Sequence, residues 1–270
     1  MKKTLAIILS LLMLATCVAF AGCAKKDNAA EKDTLVCGVT IFENMNELDE
    51  NGEWTGFETE FAQAVGAKIG MEVSFQEIDW TQKYNELASG NIDCIWNGFT
   101  ANSSEKDGTP RNELVDFTYG YMLNQQCVVI KADNAEAIKS EADLAGKTAG
   151  VEGGSAGEAY AAGIIGDGKI ETYPAQVKSF LEVKTGAVDF AVVDIVLAQN
   201  ICGNGDYADL MIVEDIVLDS EIYAVGFEKG SELTAKVNTA IEELFADGTI
   251  AALAEKYGFE NVVTLTKEIK

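Results

Sequence analysis

Short apolar runs rich in β-formers alternate along this chain with stretches whose apolar residues fall three or four positions apart, the pattern of strands joined by helices. Thr34 to Thr40 (TLVCGVT) reads as the first strand, and Phe57, Phe61, Val65 and Ile69 then share one face of a helix that Gly70 closes. Met71 to Ile78 reads as the second strand, and Trp80-Thr81 opens a helix carrying Tyr84, Leu87 and Ala88 up to Gly90. Ile92, Cys94, Ile95 and Trp96 lie between Gly90 and Gly98, as expected for a strand buried on both faces. Gln126 to Lys131 reads as a strand crossing into a second lobe, because a new helix and strand cycle starts at Ala142 to Lys147. Glu221 to Phe227 reads as the returning strand. Leu233, Val237, Ile241, Leu244 and Phe245 follow on a helix stopped at Gly248, and Ile250, Leu253 and Tyr257 on a last short one.

An internal echo points to two similar lobes. Leu87 to Asp93 (LASGNID) and Val183 to Asp189 (VKTGAVD) both read as a helix end, a glycine cap and a strand start. Gly98 then lies five residues past Asp93, and Asp194 five past Asp189. Ligands of parallel α/β sheets sit beyond the carboxyl ends of the strands, so Gly98, Thr100, Arg111 and Asp194 fall where a small polar molecule would be held. Asp194 can meet an ammonium there or cap the helix starting at Ile195. Glu152-Gly153-Gly154-Ser155-Ala156-Gly157 opens another helix, where free N–H groups make an anion site and Ser155 with Glu158 can form a capping box.

The 270 residues, 48% of them hydrophobic, suffice for one large domain or two lobes. A net charge of -24 argues against nucleic acid and anionic membrane surfaces as partners. Lys2-Lys3, the apolar run Leu5 to Leu14 and the small residues before Cys23 have the form of a secretory signal. The apolar run is shorter than the roughly 20 residues that span a bilayer. Ala24 to Asp33 reads as a flexible, charged tether. Cys37, Cys94, Cys127 and Cys202 permit disulfides in an exported chain, but three sit in apolar strand-like runs and are expected as buried free thiols. No zinc spacing is present and the chain has no histidine, so neither a metal nor any other cofactor is expected.

The segment Gly98-Phe99-Thr100, Thr109-Pro110-Arg111 and Val115-Asp116-Phe117-Thr118 resembles the polar amino-acid-binding proteins of ABC importers, solute-binding family three. Gly52 with Gly56-Phe57-Glu58, the element Asp143 to Ser155, and the tail Asp247-Gly248-Thr249 with Lys256-Tyr257-Gly258 extend the resemblance over Thr34 to Phe259. It implies an α/β, two-lobed periplasmic-binding-protein-like (type II) fold, each lobe a mostly parallel sheet flanked by helices. Residues 1–22 would be a lipoprotein signal peptide and 23–33 a tether; lobe one would span 34–126 and 222–270, and lobe two 127–221. Phe20 to Cys23 resembles a lipobox, with Cys23 the lipidated residue.

In that family an Arg six residues before the Phe of the "DFT" element grips the ligand's carboxylate, a spacing Arg111 and Phe117 keep. Here Ala101 to Gly108 lengthens the connection from Thr100, so the position of Arg111 depends on how that loop folds. The resemblance further implies the Ala156 N–H as a carboxylate donor, Trp80 against the ligand's side chain or else packed on the sheet, and Phe42 stacked on the ligand. Trp80, Trp96 and Phe42 together suggest a partly aromatic pocket.

The expectation is an extracytoplasmic, lipid-anchored protein that binds a free amino acid and delivers it to an ABC permease, without being an enzyme. Its contact with the membrane would be the lipid alone. The competing expectations are an enzyme on the same scaffold, of the cyclohexadienyl dehydratase kind, and a ligand-sensing domain.

Overall fold

The structure is a computed structural model that describes residues 33–269, so the expected signal peptide, Cys23 and the tether up to Lys32 lie outside the described residues. Asp33–Lys270 forms one compact unit with two main sheets. In the first, Thr34–Val39 lies between parallel neighbours Glu72–Glu77 and Cys94–Ile95. Gly226–Phe227 pairs antiparallel with Cys94–Ile95 and Asp116–Phe117, which completes five strands. The second sheet is built on the 12-residue strand Gly120–Lys131. Its parallel part is Lys169–Tyr173, Thr148–Glu152 and Phe190–Asp194, and the last of these runs antiparallel to Gly120–Lys131. Two sheets whose parallel strands are linked by helices are the two-lobed α/β architecture expected, but the sheets are mixed and not mostly parallel. Each has two parallel pairings, and the rest are antiparallel because the chain crosses between sheets on Gly120–Lys131 and returns on Gly226–Phe227.

Local chemistry explains where the elements stop. The helix Phe57–Ile69 buries Phe57, Phe61 and Val65 and ends at Gly70 in the left-handed region, which a residue without a Cβ adopts at little cost. The internal echo is physical: a carboxylate oxygen of Asp93 accepts the Val36 N–H at 2.8 Å, and one of Asp189 accepts the Thr148 N–H at 2.7 Å. Each aspartate thus ties the strand it precedes to the strand beside it.

The boundaries differ from expectation in three places. The strand expected from Gln126 begins at Gly120, because its first half pairs with Ser220–Tyr223 and with Val263–Thr266, a strand the sequence pattern did not reveal. The expected returning strand splits at Ala224, whose N–H bonds to the Phe99 carbonyl. The strand expected over Ile92 to Trp96 is regular only at Cys94–Ile95, since the Ile92 N–H bonds to the Glu86 carbonyl of the preceding helix. Trp96 is fully buried edge-on to Phe61 at 5.3 Å, so it belongs to the core and not to an aromatic pocket. Cys37, Cys127 and Cys202 are free thiols, and the Cys94 thiol donates to the Cys37 sulfur at 3.6 Å.

Candidate ligand site

Beyond Cys94–Ile95 the chain turns at Gly98, whose φ of 56° favours glycine, and a Cβ there would stand 3.0 Å from Phe42 and 3.1 Å from Tyr223. Glu58 fixes this turn. Both its carboxylate oxygens accept the Gly98 N–H, at 2.9 and 3.1 Å, while the Tyr121 hydroxyl and the Asn46 amide donate to the same group. Burial still outweighs these hydrogen bonds and raises the Glu58 pKa to about 7.

The lengthened loop closes on itself. The Glu105 N–H bonds to the Thr109 carbonyl at 2.9 Å and the Arg111 N–H to the Ser103 carbonyl at 3.1 Å, so the extra residues leave and return at nearly one point. Arg111, only 2% exposed, opens the one-turn helix Arg111–Leu114 and directs its guanidinium back to Thr100 Oγ1 at 2.6 Å. Its Nε donates to Glu105 at 2.9 Å and its other amino group to the Gly154 carbonyl at 3.4 Å. Buried Lys83 reaches the same carbonyl at 3.0 Å and Glu105 at 3.3 Å. Burial and the repulsion of Arg111 bring the Lys83 pKa down to about 8. Burial also opposes ionisation of Glu105, but Arg111 and Lys83 outweigh it and hold its pKa below the ordinary value.

The opposite wall comes from the strand ends of the second sheet. After Thr148–Glu152 the chain turns through Gly153 and Gly154 into the helix Ala156–Ile164. Ser155 caps it, accepting the Glu158 N–H at 3.1 Å; Glu158 returns its own bond to the Gly154 N–H at 2.7 Å, so the expected box closes one residue early. Asp194 stands at the N-terminus of Ile195–Ile201 without capping it. Its carboxylate instead accepts from the amides of Asn124, Gln126 and Gln176, and Gln176 Oε1 accepts the Asp194 N–H at 2.8 Å. Burial, then the nearby Glu221 charge, raises the Asp194 pKa to about 7 against those hydrogen bonds.

Trp80, Gly98, Thr100, Arg111, Ser155, Ala156 and Asp194 line one narrow cavity. Phe42 does not line it; it is buried in the main core, its tight turn closed by a 2.8 Å bond from its N–H to the Asn46 carbonyl. Four further lining residues, Asn97, Gln126, Glu152 and Gln176, escaped the sequence reading. Glu152 carried a legible signal, because it is an acid ending an apolar strand, as Asp194 is. Gln126 and Gln176 did not, since they reach the cavity only through contacts between segments far apart in the chain.

Glu58, Asp194 and Glu152 have raised pKa values, the last pushed up to about 8 by burial and then by Asp194. Unfolded carboxyls ionise near pH 4, so between there and about pH 8 the folded state holds more protons and loses stability as pH rises. The melting temperature of the ligand-free protein should therefore be higher at about pH 5 than at about pH 8, by on the order of 2 to 4 °C for each kcal/mol involved. A thermal melt series showing no change, or the opposite trend, would count against three buried carboxyls.

Among the described residues no helix is long and apolar enough to cross a membrane, and no cluster of His, Cys, Asp or Glu could hold a metal ion. The chain is 30% identical over 264 residues to the arginine-binding extracellular protein ArtP of Bacillus subtilis, covering 95% of this chain and 98% of that one. It is 28% identical to the L-cystine-binding protein TcyJ of Escherichia coli, covering 84% and 83%. An ancestral arginine-binding protein bound to arginine superposes with a TM-score of 0.76 at 32% identity, over 84% of this chain and 98% of that one. The family profile of the bacterial extracellular solute-binding proteins, family 3, matches residues 35–261, and the chain belongs to that family.

Proposed function

We propose that this protein binds a free amino acid in the cavity between its lobes and delivers it to an ABC permease, acting as a binding protein and not as an enzyme. The observation that carries this reading is a cleft with a buried guanidinium on one wall and a buried carboxylate on the other. A zwitterion complements both charges. Of the five N–H donors of a guanidinium, Arg111 commits Nε to Glu105 and one donor each to Thr100 and Gly154, so others remain for a carboxylate. The N–H groups of Thr100 and Ala156 complete its binding, with Ser155 shaping the helix end beside it, while Asp194 and the Gly98 carbonyl take the ammonium. Trp80 flanks the ligand's side chain.

Lobe one is read as 34–126 with 222–270 and lobe two as 127–221. Because the groups are divided between lobes, the ligand favours closure by its greater affinity for the closed state. A thermal-shift panel of the free amino acids tests the reading, since a ligand at about 100 times its dissociation constant adds about 2.7 kcal/mol of stability. A panel in which no amino acid raises the melting temperature would contradict it.

The lipid anchor belongs to the same proposal, with Cys23 as the acylated residue after cleavage of 1–22. Cys23→Ser should release the protein from the membrane fraction into the medium or periplasm, as read by fractionation. An unmodified mature terminus at another residue, found by mass spectrometry, would refute it.

A further inference from the structure

We infer that the bound amino acid carries a cation, an ammonium or a guanidinium, at the end of its side chain, and that Glu152 is the residue that receives it. The inference rests on the amino-acid-binding reading above and adds the class of side chain. Glu152 is 3% exposed, lines the cavity beside Asp194 and Gln176, and keeps one carboxylate oxygen, Oε1, without a hydrogen-bond partner. An unpaired buried acceptor costs the desolvation of that atom, and natural proteins retain one chiefly where something else supplies the donor.

The other acids around the cavity are already provided for. Glu105 is ion-paired with Arg111 and Lys83. Glu221 accepts from Ser103 at 3.0 Å and from Asn124 and Gln126 at 2.8 Å each. Asp194 accepts from three amides, and the ligand's own ammonium offsets its charge. Once the main-chain groups of a zwitterion are placed, Glu152 is the carboxyl with an open oxygen and no paired cation. Lys83 and Arg111 act on it from a distance but are engaged at Gly154 and Glu105. Trp80 also lines the cavity, where an aromatic side chain can flank a methylene stem.

The protonation state fits this assignment. Burial first, then the Asp194 charge, raises the Glu152 pKa to about 8, against the lowering by Thr40, Lys83 and Arg111. Near neutral pH Glu152 is therefore mostly the acid until a cation reaches it. A cation arriving at Oε1 favours the carboxylate, so the carboxyl proton leaves to buffer as the ion pair forms.

The test is calorimetric titration of the whole mature protein near pH 7 with L-lysine, L-ornithine and L-arginine, against L-norleucine and L-glutamine. At least one cationic amino acid should bind about 30-fold or more tighter than norleucine and glutamine, the size expected for a buried charge pair. Repeating it in two buffers of different ionisation enthalpy should show more proton release for that ligand than for norleucine, whose ammonium reaches Asp194 alone. Glu152→Gln should reduce the preference over norleucine to within about threefold, against the full ratio in wild type. Tighter binding of glutamine or norleucine, or an unchanged preference in Glu152→Gln, overturns the inference and leaves amino-acid binding standing. Silence across the whole panel overturns both. The wild-type comparisons decide the matter even if the variant does not fold.

Discussion

Arg111→Ala should weaken binding of the cognate amino acid by about 3 kcal/mol or more, since it removes a bidentate, charge-assisted contact whose hydrogen bonds contribute roughly 1.5 to 3 kcal/mol each. The geometry makes the loss specific. The Arg111 guanidinium is held at Thr100 on one side and at Gly154 on the other, so it also links the two walls of the cavity. Removing it leaves Lys83 as the cation paired with Glu105, and some loss of ligand-free stability should accompany the loss of affinity. Arg111→Lys separates the two effects, because an ammonium keeps the charge near Glu105 but cannot make the planar fork. That variant should recover stability more fully than affinity. Calorimetry on both variants checks the claim, and binding by Arg111→Ala within about threefold of wild type, well under 1 kcal/mol, would move the carboxylate elsewhere.

Asp194→Asn should cost on the order of 2 to 5 kcal/mol of binding, the range for losing one partner of a buried charge pair. Its effect on the ligand-free protein should be small, for two reasons visible in the geometry. The Asp194 side chain makes no capping bond to the helix Ile195–Ile201, so no cap is lost. The substitution also removes a buried charge that Glu221 opposes. Against this, an amide nitrogen would face the Gln176 amide that now donates to Asp194, and Gln176 cannot simply turn over because its oxygen accepts the Asp194 N–H. Ligand-free thermal stability near pH 8 should thus change little while affinity collapses. Unchanged affinity would remove Asp194 from the site.

Part of this site was legible in the sequence because it repeats a local rule. Gly90 to Asp93 and Gly186 to Asp189 obey the same helix-end and strand-start chemistry, down to the aspartate that accepts a neighbouring strand's N–H. That regularity put Gly98 and Asp194 at comparable strand ends, and both line one cavity. What stayed hidden depends on contacts between segments far apart in the chain. Glu58 reads as part of a helix start, yet it holds the Gly98 turn 40 residues on. Glu105 reads as one charge in a polar loop, yet it orders Arg111, Lys83 and Tyr84 together. Aromatic residues misled in the other direction: Phe42 and Trp96 satisfy a pocket on composition, but hydrophobic burial takes both into the core.

The most direct measurement is calorimetric titration of the wild-type protein with its preferred amino acid, with that amino acid's α-carboxamide and with its N-acetyl derivative. Binding of the free amino acid at one site per chain, with each derivative weaker by about 100-fold, is the predicted result, because each derivative deletes one charge of the zwitterion and its charge-assisted hydrogen bond. Equal binding of either derivative, or no binding by any free amino acid, would contradict a cavity built around Arg111 and Asp194.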